Sequence, residues 1–190
     1  MKKQALFIGL GLTVVTSLSS LVVNISPSIS QSNYAKSQTG KVTFFCQPMF
    51  DAASGKRIPA TVVWIPERKG HVRFIGWKSE YFNKSGWTPE KRCQEVTKNF
   101  QKLYDQGRLN YLSHGKRNGN SVICAAKSGE TCNATNQLFT VKTGSDPREI
   151  IQRLMDIAEG KSNDTIFQSS GNQLYISVKN FFNNSPLLKE

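Results

Sequence analysis

The sequence predicts an α+β fold: a single domain built on a twisted, mostly antiparallel sheet of about six or seven strands with two helices packed on it. Three observations carry that prediction. Residues 88–107 bear apolar side chains at helical spacing, residues 109–126 have the pattern of a β-hairpin closed by Asn-Gly, and short strand-like runs lie on either side of both. A chain of 190 residues, 38% hydrophobic, is long enough for one core and short for two. The domain is expected over residues 41–182, with residues 183–190 as a tail.

Taken in order, VTFFC at residues 42–46 is the first strand, interrupted by Pro48 and a loop over residues 51–59. Residues 61–65 and 71–77 form the next pair, joined by Pro66-Glu67-Arg68-Lys69-Gly70, a linker of hairpin length. Residues 78–87 make an irregular connector rich in aromatic side chains. Thr88 can then cap a helix that Pro89 opens without cost, since the first helical position needs no N–H. Cys93, Val96, Phe100, Leu103 and Tyr104 recur at three and four, on one face, and Gly107 ends the helix. Residues 109–114 and 121–126 are the hairpin strands, and Asn118-Gly119 supplies the positive φ of a tight reversal.

Residues 137–142 form a further strand. Asp146 and Glu149 have the spacing of a capping box, opening a second helix whose buried stripe is Ile150, Ile151, Leu154, Ile157 and Ala158, closed by Gly160. A polar loop covers residues 161–171. Residues 173–179 alternate, with Leu174, Ile176 and Val178 on one side, as a last strand does.

The first 35 residues have another character. Lys2 and Lys3 precede an apolar run from Ala5 to Val23, and small polar residues follow, which is the layout of an export signal. The run is also nearly long enough to stay as a membrane anchor. The expected location is therefore exported: periplasmic, extracellular or peripherally membrane-associated. Removal of residues 1–35 takes away two lysines and no acid, lowering the net charge from +12 to +10. Such a bias favours an anionic membrane or wall surface, or an acidic protein, as partner. Nucleic acid is a poor candidate because an exported protein seldom meets it.

Four cysteines, Cys46, Cys93, Cys124 and Cys132, form an even set behind that leader, the pattern of two disulfides with three possible pairings. Cys124 and Cys132 bracket the turn-rich AAKSGET, so pairing them leaves Cys46 for Cys93 across the helix–sheet interface. Metal ligation is the competing use, but there is no Cys-x-x-Cys and only two histidines are present. A thiol nucleophile with His71 or His114 as base requires unpaired cysteines. No cofactor-binding motif is present: the only Gly-x-Gly, at residues 9–11, lies inside the apolar leader.

WTPEKRCQEV, the following F-Q-x-x-Y-x-x-G-x-L-x-x-L, and then GKRNGNSVICAA with a further cysteine before LFTV resemble the small circadian oscillating protein family of cyanobacteria. The resemblance covers roughly residues 44–158. It implies an exported or membrane-associated protein, some relatives varying in abundance between day and night, and it brings no established activity or catalytic residue. The matched Pro89, Cys93, Gly107, Asn118, Gly119 and Cys124 are ones whose roles above are structural.

The candidate binding residues are basic pairs: Lys56-Arg57, Arg68-Lys69, Lys91-Arg92 and Lys116-Arg117. If their turns share an edge they make an anion-binding rim; the plainer role for such turns is solubility. Lys91 and Arg92 stand out because cations in a first helical turn oppose the helix dipole at a cost of about 0.3–1 kcal/mol each. Arg92 can pair with Glu95 or pack its stem on Trp87. Trp77, Tyr81, Phe82 and Trp87 are candidates for a groove taking carbohydrate or peptide, or else for the end of the core or a protein-binding patch. His114, with Asp105 or Glu95, is the candidate base of a hydrolase in an aromatic-lined cleft. The leading expectation is a non-enzymatic, basic, disulfide-stabilised domain that binds an anionic surface or acidic partner at the cell envelope.

Overall fold

In the computed structural model, residues 40–158 and 173–189 are described. The leader expected over residues 1–35 and the polar loop 161–171 lie outside the described residues. The fold is α+β as expected, and the described residues form two antiparallel sheets, of seven strands together, and three α-helices where one sheet and two helices were expected. The first sheet has the order β1-β2-β3, with β1 Thr43–Asp51, β2 Lys56–Ile65 and β3 Gly70–Gly76. Helix α1, Pro89–Asp105, follows. The second sheet has the order β6-β5-β4-β7, with β4 Tyr111–Arg117, β5 Asn120–Ala126, β6 Gln137–Thr140 and β7 Tyr175–Ser177. Helix α2, Pro147–Ala158, precedes β7, and α3, Val178–Asn184, follows it directly.

The first strand runs through Pro48 instead of breaking there, and the expected loop at 51–59 is mostly β2. Pro48 lies opposite Pro59, and Trp77 donates its backbone N–H to the Pro59 carbonyl. Pro59 therefore turns its backbone polar atoms toward β3 and Pro48 turns its own away from β2. On an edge strand that outward position requires no donor, which accommodates Pro48, while Pro59 lies past the end of β3, where Trp77 bonds its carbonyl and no strand residue calls for its missing N–H. The reversal shrinks to the residues between Asp51 and Lys56, where the Asp51 carboxylate accepts from the Ser54 N–H and Gly55 adopts φ 65°.

The predicted last strand is only three residues long. Its C-terminal part, with the start of the predicted tail, is α3, in which Ser177 Oγ accepts from the Asn180 N–H as an N-cap. Alternation at residues 174–178 hid the helix, whose Val178, Phe181 and Phe182 are all buried. Two devices fix it. The Arg68 guanidinium donates to the carbonyls of Phe182 and Ser185, both at 2.6 Å, and beyond the helix Leu188 N–H donates to the His71 carbonyl on the edge of β3.

One core holds both sheets. Phe44 of β1, Phe74 of β3, Phe100 of α1 and Phe181 of α3 meet with ring centroids 4.8–5.6 Å apart along the chain of contacts Phe44–Phe100, Phe100–Phe74 and Phe74–Phe181. Leu112 and Ile123 of the second sheet and Ile151 and Leu154 of α2 belong to the same cluster. Burying each such side chain stabilises the fold by about 1.5–3 kcal/mol. Two disulfides secure it: Cys46–Cys93 ties β1 to α1, and Cys124–Cys132 ties β5 to the loop before β6.

Candidate functional site

The first turn of α1 is where the sequence breaks a local rule, and its surroundings explain how. Thr88 Oγ1 accepts from the Lys91 N–H at 3.3 Å, and the Thr88 carbonyl takes the Arg92 N–H, so the cap itself is conventional. The Arg92 side chain leaves the helix and lies between two rings. Its guanidinium carbon is 5.0 Å from the centre of Trp77 and 4.8 Å from that of Phe82, and one Nη donates to the Ser79 carbonyl at 3.0 Å. Neither expected partner is used: Glu95 pairs with Lys98, and Trp87 stacks instead under the Lys91 ammonium, 4.9 Å away. Among the described residues no carboxylate neutralises Arg92. Burial pulls its pKa below the ordinary arginine value, though the group stays charged at any physiological pH. Contact with two rings repays part of that cost, at about 0.5–2 kcal/mol per ring.

Trp77 is core, not groove. It is 2% exposed, and its indole N–H donates to Thr61 Oγ1, itself hydrogen-bonded to Thr97 of α1. Tyr81 and Trp87, at 49% and 43%, are the exposed members of the aromatic run. Phe82 is half-buried, its edge against Tyr81.

Arg92 opens on a cleft of about 470 Å³ whose other walls include Phe82, Trp87, Glu95, Asn99, Arg117 and Gln137. Arg92, Glu95, Val96 and Asn99 follow helical spacing along one side of α1, and β4, β5 and β6 supply the opposite side. Arg117 Nη1 donates to Gln137 Oε1 at 2.6 Å, and Gln137 Nε2 donates to Thr140 Oγ1 at 3.3 Å, which fixes the second arginine against β6. It too has no carboxylate partner among the described residues. The cleft thus brings together residues predicted separately, Arg92 and Arg117 with Phe82 and Trp87. It also holds Asn99, Asn120, Gln137 and Thr140, which the sequence did not single out. The i, i+3, i+7 relation of Arg92, Glu95 and Asn99 was the one available signal for any of them.

The other basic candidates lie elsewhere. The reversal after β4 occupies only Asn118 and Gly119, at φ 49° and 77°, so Lys116 and Arg117 sit on a strand and not on its tip. Consecutive strand residues face opposite ways, which sends Arg117 to the cleft and Lys116 to another hollow. Arg68 is consumed by α3, and Lys69 takes the left-handed conformation that ends the turn before β3, at φ 49°. Lys56 and Arg57 are exposed at the start of β2.

His114 is not in the aromatic cleft. It lines a hollow of about 370 Å³ with Gly115, Lys116, Ser121, Asp146 and Arg148, so neither Asp105 nor Glu95 is among its neighbours there. Its Nε2 accepts the Leu174 N–H at 3.3 Å, which occupies the atom a general base would use. Burial, and secondarily Arg148, lower its pKa against the opposing pull of Asp146. All four cysteines are bonded in pairs, which leaves no thiolate for catalysis.

Fold and cleft together define a class: a disulfide-stabilised α+β domain with two uncompensated arginines set in an aromatic and amide-lined recess. Residues 43–183 match the family model of circadian oscillating protein COP23, and the chain belongs to that family. The match extends past α2 through β7 into α3, beyond the stretch in which the resemblance was visible. Comparison with curated proteins and with solved structures finds no match. Among the described residues no helix is long and apolar enough to cross a membrane.

Proposed function

We propose that this protein is a non-catalytic binding domain of the cell envelope that takes an anionic ligand in the cleft between α1 and the second sheet. The observation that carries the reading is Arg92: a half-buried guanidinium held within 5.0 Å of two ring centres, with no carboxylate among the described residues to neutralise it and a second arginine, Arg117, across the same recess. A cation held that way is pre-organised for a bidentate oxyanion, because its side-chain entropy is spent before the ligand arrives. Export is supported by two disulfides, which persist in oxidising compartments, and by the layout of residues 1–35. The charge of +10 without that leader favours encounter with an anionic envelope polymer or acidic partner.

The test is binding of the full chain to immobilised dextran sulfate across a salt series. Affinity is expected to fall as salt rises, because exposed charge contacts are screened. R92Q and R117Q are each expected to weaken binding about tenfold or more, since a charge-assisted hydrogen bond contributes roughly 1.5–3 kcal/mol. Replacing Lys56 and Arg57 together is expected to have a smaller effect. Equal affinity of the parent and an R92Q/R117Q double variant would remove the cleft from the function.

A further inference from the structure

We infer that the ligand of this cleft is a sugar ring bearing an anionic group, a unit of an acidic glycan; the inference rests on the cleft being the anion site. Three features select that chemistry. First, the charge is recessed. Arg92 lies between Trp77 and Phe82 inside a cleft of about 470 Å³, a volume within the range of small-molecule sites, so a flat bilayer surface meets the exposed Lys91 before it meets Arg92. Second, the mouth has an aromatic shelf. Trp87 is 43% exposed, and an indole face of that kind stacks on the C–H face of a pyranose while its edge stays wet.

Third, apart from Glu95, whose carboxylate is paired with Lys98, the remaining polar lining consists of neutral amides and a hydroxyl: Asn99, Asn120, Gln137 and Thr140. The Asn99 amide has no hydrogen-bond partner among the described residues. Asn120 spends one N–H on the Asn118 carbonyl and keeps its acceptor oxygen free, whereas Gln137 is engaged with Arg117 and Thr140. Free amides offer a donor and an acceptor side by side, which is what vicinal hydroxyls require and what a run of carboxylates does not. A site of two arginines, one indole and the free groups of Asn99 and Asn120, its one carboxylate already paired with Lys98, therefore fits an anionic sugar better than an acidic peptide. A uronate and a sulfated hexose present the same chemistry.

Titration calorimetry of the full chain with four probes separates the outcomes: an oligouronate, a sulfated oligosaccharide, a neutral oligosaccharide of matched length, and oligoglutamate of matched charge. The expected result is that one of the charged sugars binds at least about tenfold tighter than both the neutral sugar and oligoglutamate. W87A is expected to cost about tenfold toward that sugar and to leave oligoglutamate binding unchanged, while W87F retains most of the affinity. Oligoglutamate binding as tightly as the charged sugars would overturn this inference and leave the anion site standing. A neutral sugar binding as tightly as the charged ones would overturn the acidic half of it. Failure of every anion to bind would overturn both readings.

Discussion

The two halves of the core are built alike and fastened differently. In the first, β1–β3 with α1, the disulfide Cys46–Cys93 spans 47 residues and ties a helix to a sheet, and the helix start it anchors carries Arg92. In the second, β4–β7 with α2 and α3, the disulfide Cys124–Cys132 spans only eight residues and ties a strand to its own following loop. Its edge strand β7 is three residues long and pairs with β4 over only three positions, and β4 side chains hold the residue just before it: Ser113 Oγ donates to the Leu174 carbonyl, and His114 accepts the Leu174 N–H. The contrast teaches that the two sides of the cleft are cross-linked over different distances in sequence, and that the helix carrying Arg92 is the one tied by the longer loop.

The largest expected effect breaks that asymmetry directly. A cross-link restrains the unfolded chain more when it closes a longer loop, so removing Cys46–Cys93 by a double alanine substitution should cost about 4 kcal/mol and removing Cys124–Cys132 about 2.5 kcal/mol. Denaturant unfolding of the two variants measures the difference; equal losses would mean that the halves are fastened equally. The next effect tests the joint between them. Arg68 lies in the turn after β2 but donates to two carbonyls at the end of α3, so R68Q should cost about 2–3 kcal/mol through lost charge-assisted hydrogen bonds. R92Q, by contrast, should cost less stability than R68Q, because the burial of its charge offsets part of the ring contacts and the single hydrogen bond to the Ser79 carbonyl that it gives up. The two arginines come from similar basic pairs, and only their partners tell framework from site.

How much of this was written in the sequence follows the range of each interaction. Helix α1 and the β4–β5 reversal were legible because cap, periodicity and Asn-Gly are local signals, all within a few residues of what they determine. The division into two sheets was not, since no local pattern states which strands pair across the chain. Pro48 and Pro59 misled for the same reason: whether a proline breaks a strand depends on which neighbour its missing N–H faces. Helix α3 was hidden because Leu174, Ile176 and Val178 alternate, while the burial of Phe181 and Phe182 is decided by Phe74 and Arg68, more than a hundred residues away in sequence. For the site, the cations in the first turn of α1 marked Arg92 correctly as unusual. Arg117 was marked for membership of a basic pair, yet what brings it to the cleft is strand alternation, which sends its neighbour Lys116 the other way. Gln137 and Asn99 carried no mark, since an uncharged amide on an exposed position looks the same whether it faces water or a ligand.

The smallest effect sharpens the comparison by acting on the weaker half alone. His114 is partly buried on β4, and the groups lining its hollow are Asp146, Arg148 and Lys116. Burial first, then Arg148, hold its pKa below the ordinary histidine value. The folded state therefore favours the neutral ring, and the unfolded chain binds the proton more readily. The stability this contributes is fully present above the unfolded value of about 6.5 and is lost as pH falls from there through the folded pKa. Asp51 and Glu130 also have lowered pKa values, from Ser54 and the Lys127 N–H respectively as the leading causes, but their contributions are lost only at lower pH, below the ordinary carboxylate range. Acidification from about pH 7 to about pH 5.5 thus leaves the carboxylates charged, and carrying it out in an H71Q background removes the other histidine, so that the response reports His114. Protonation would also cancel the acceptor for the Leu174 N–H, so the loosening should appear at β7 first. The expected outcome is a fall in amide protection, taken relative to the intrinsic exchange rate at each pH, at Leu174 and Ile176 at the lower pH, with protection in β1 and β2 unchanged, and loss of that pH dependence in H114Q. Protection that falls equally in both sheets would show that the acid response is global and that the second half is no weaker than the first.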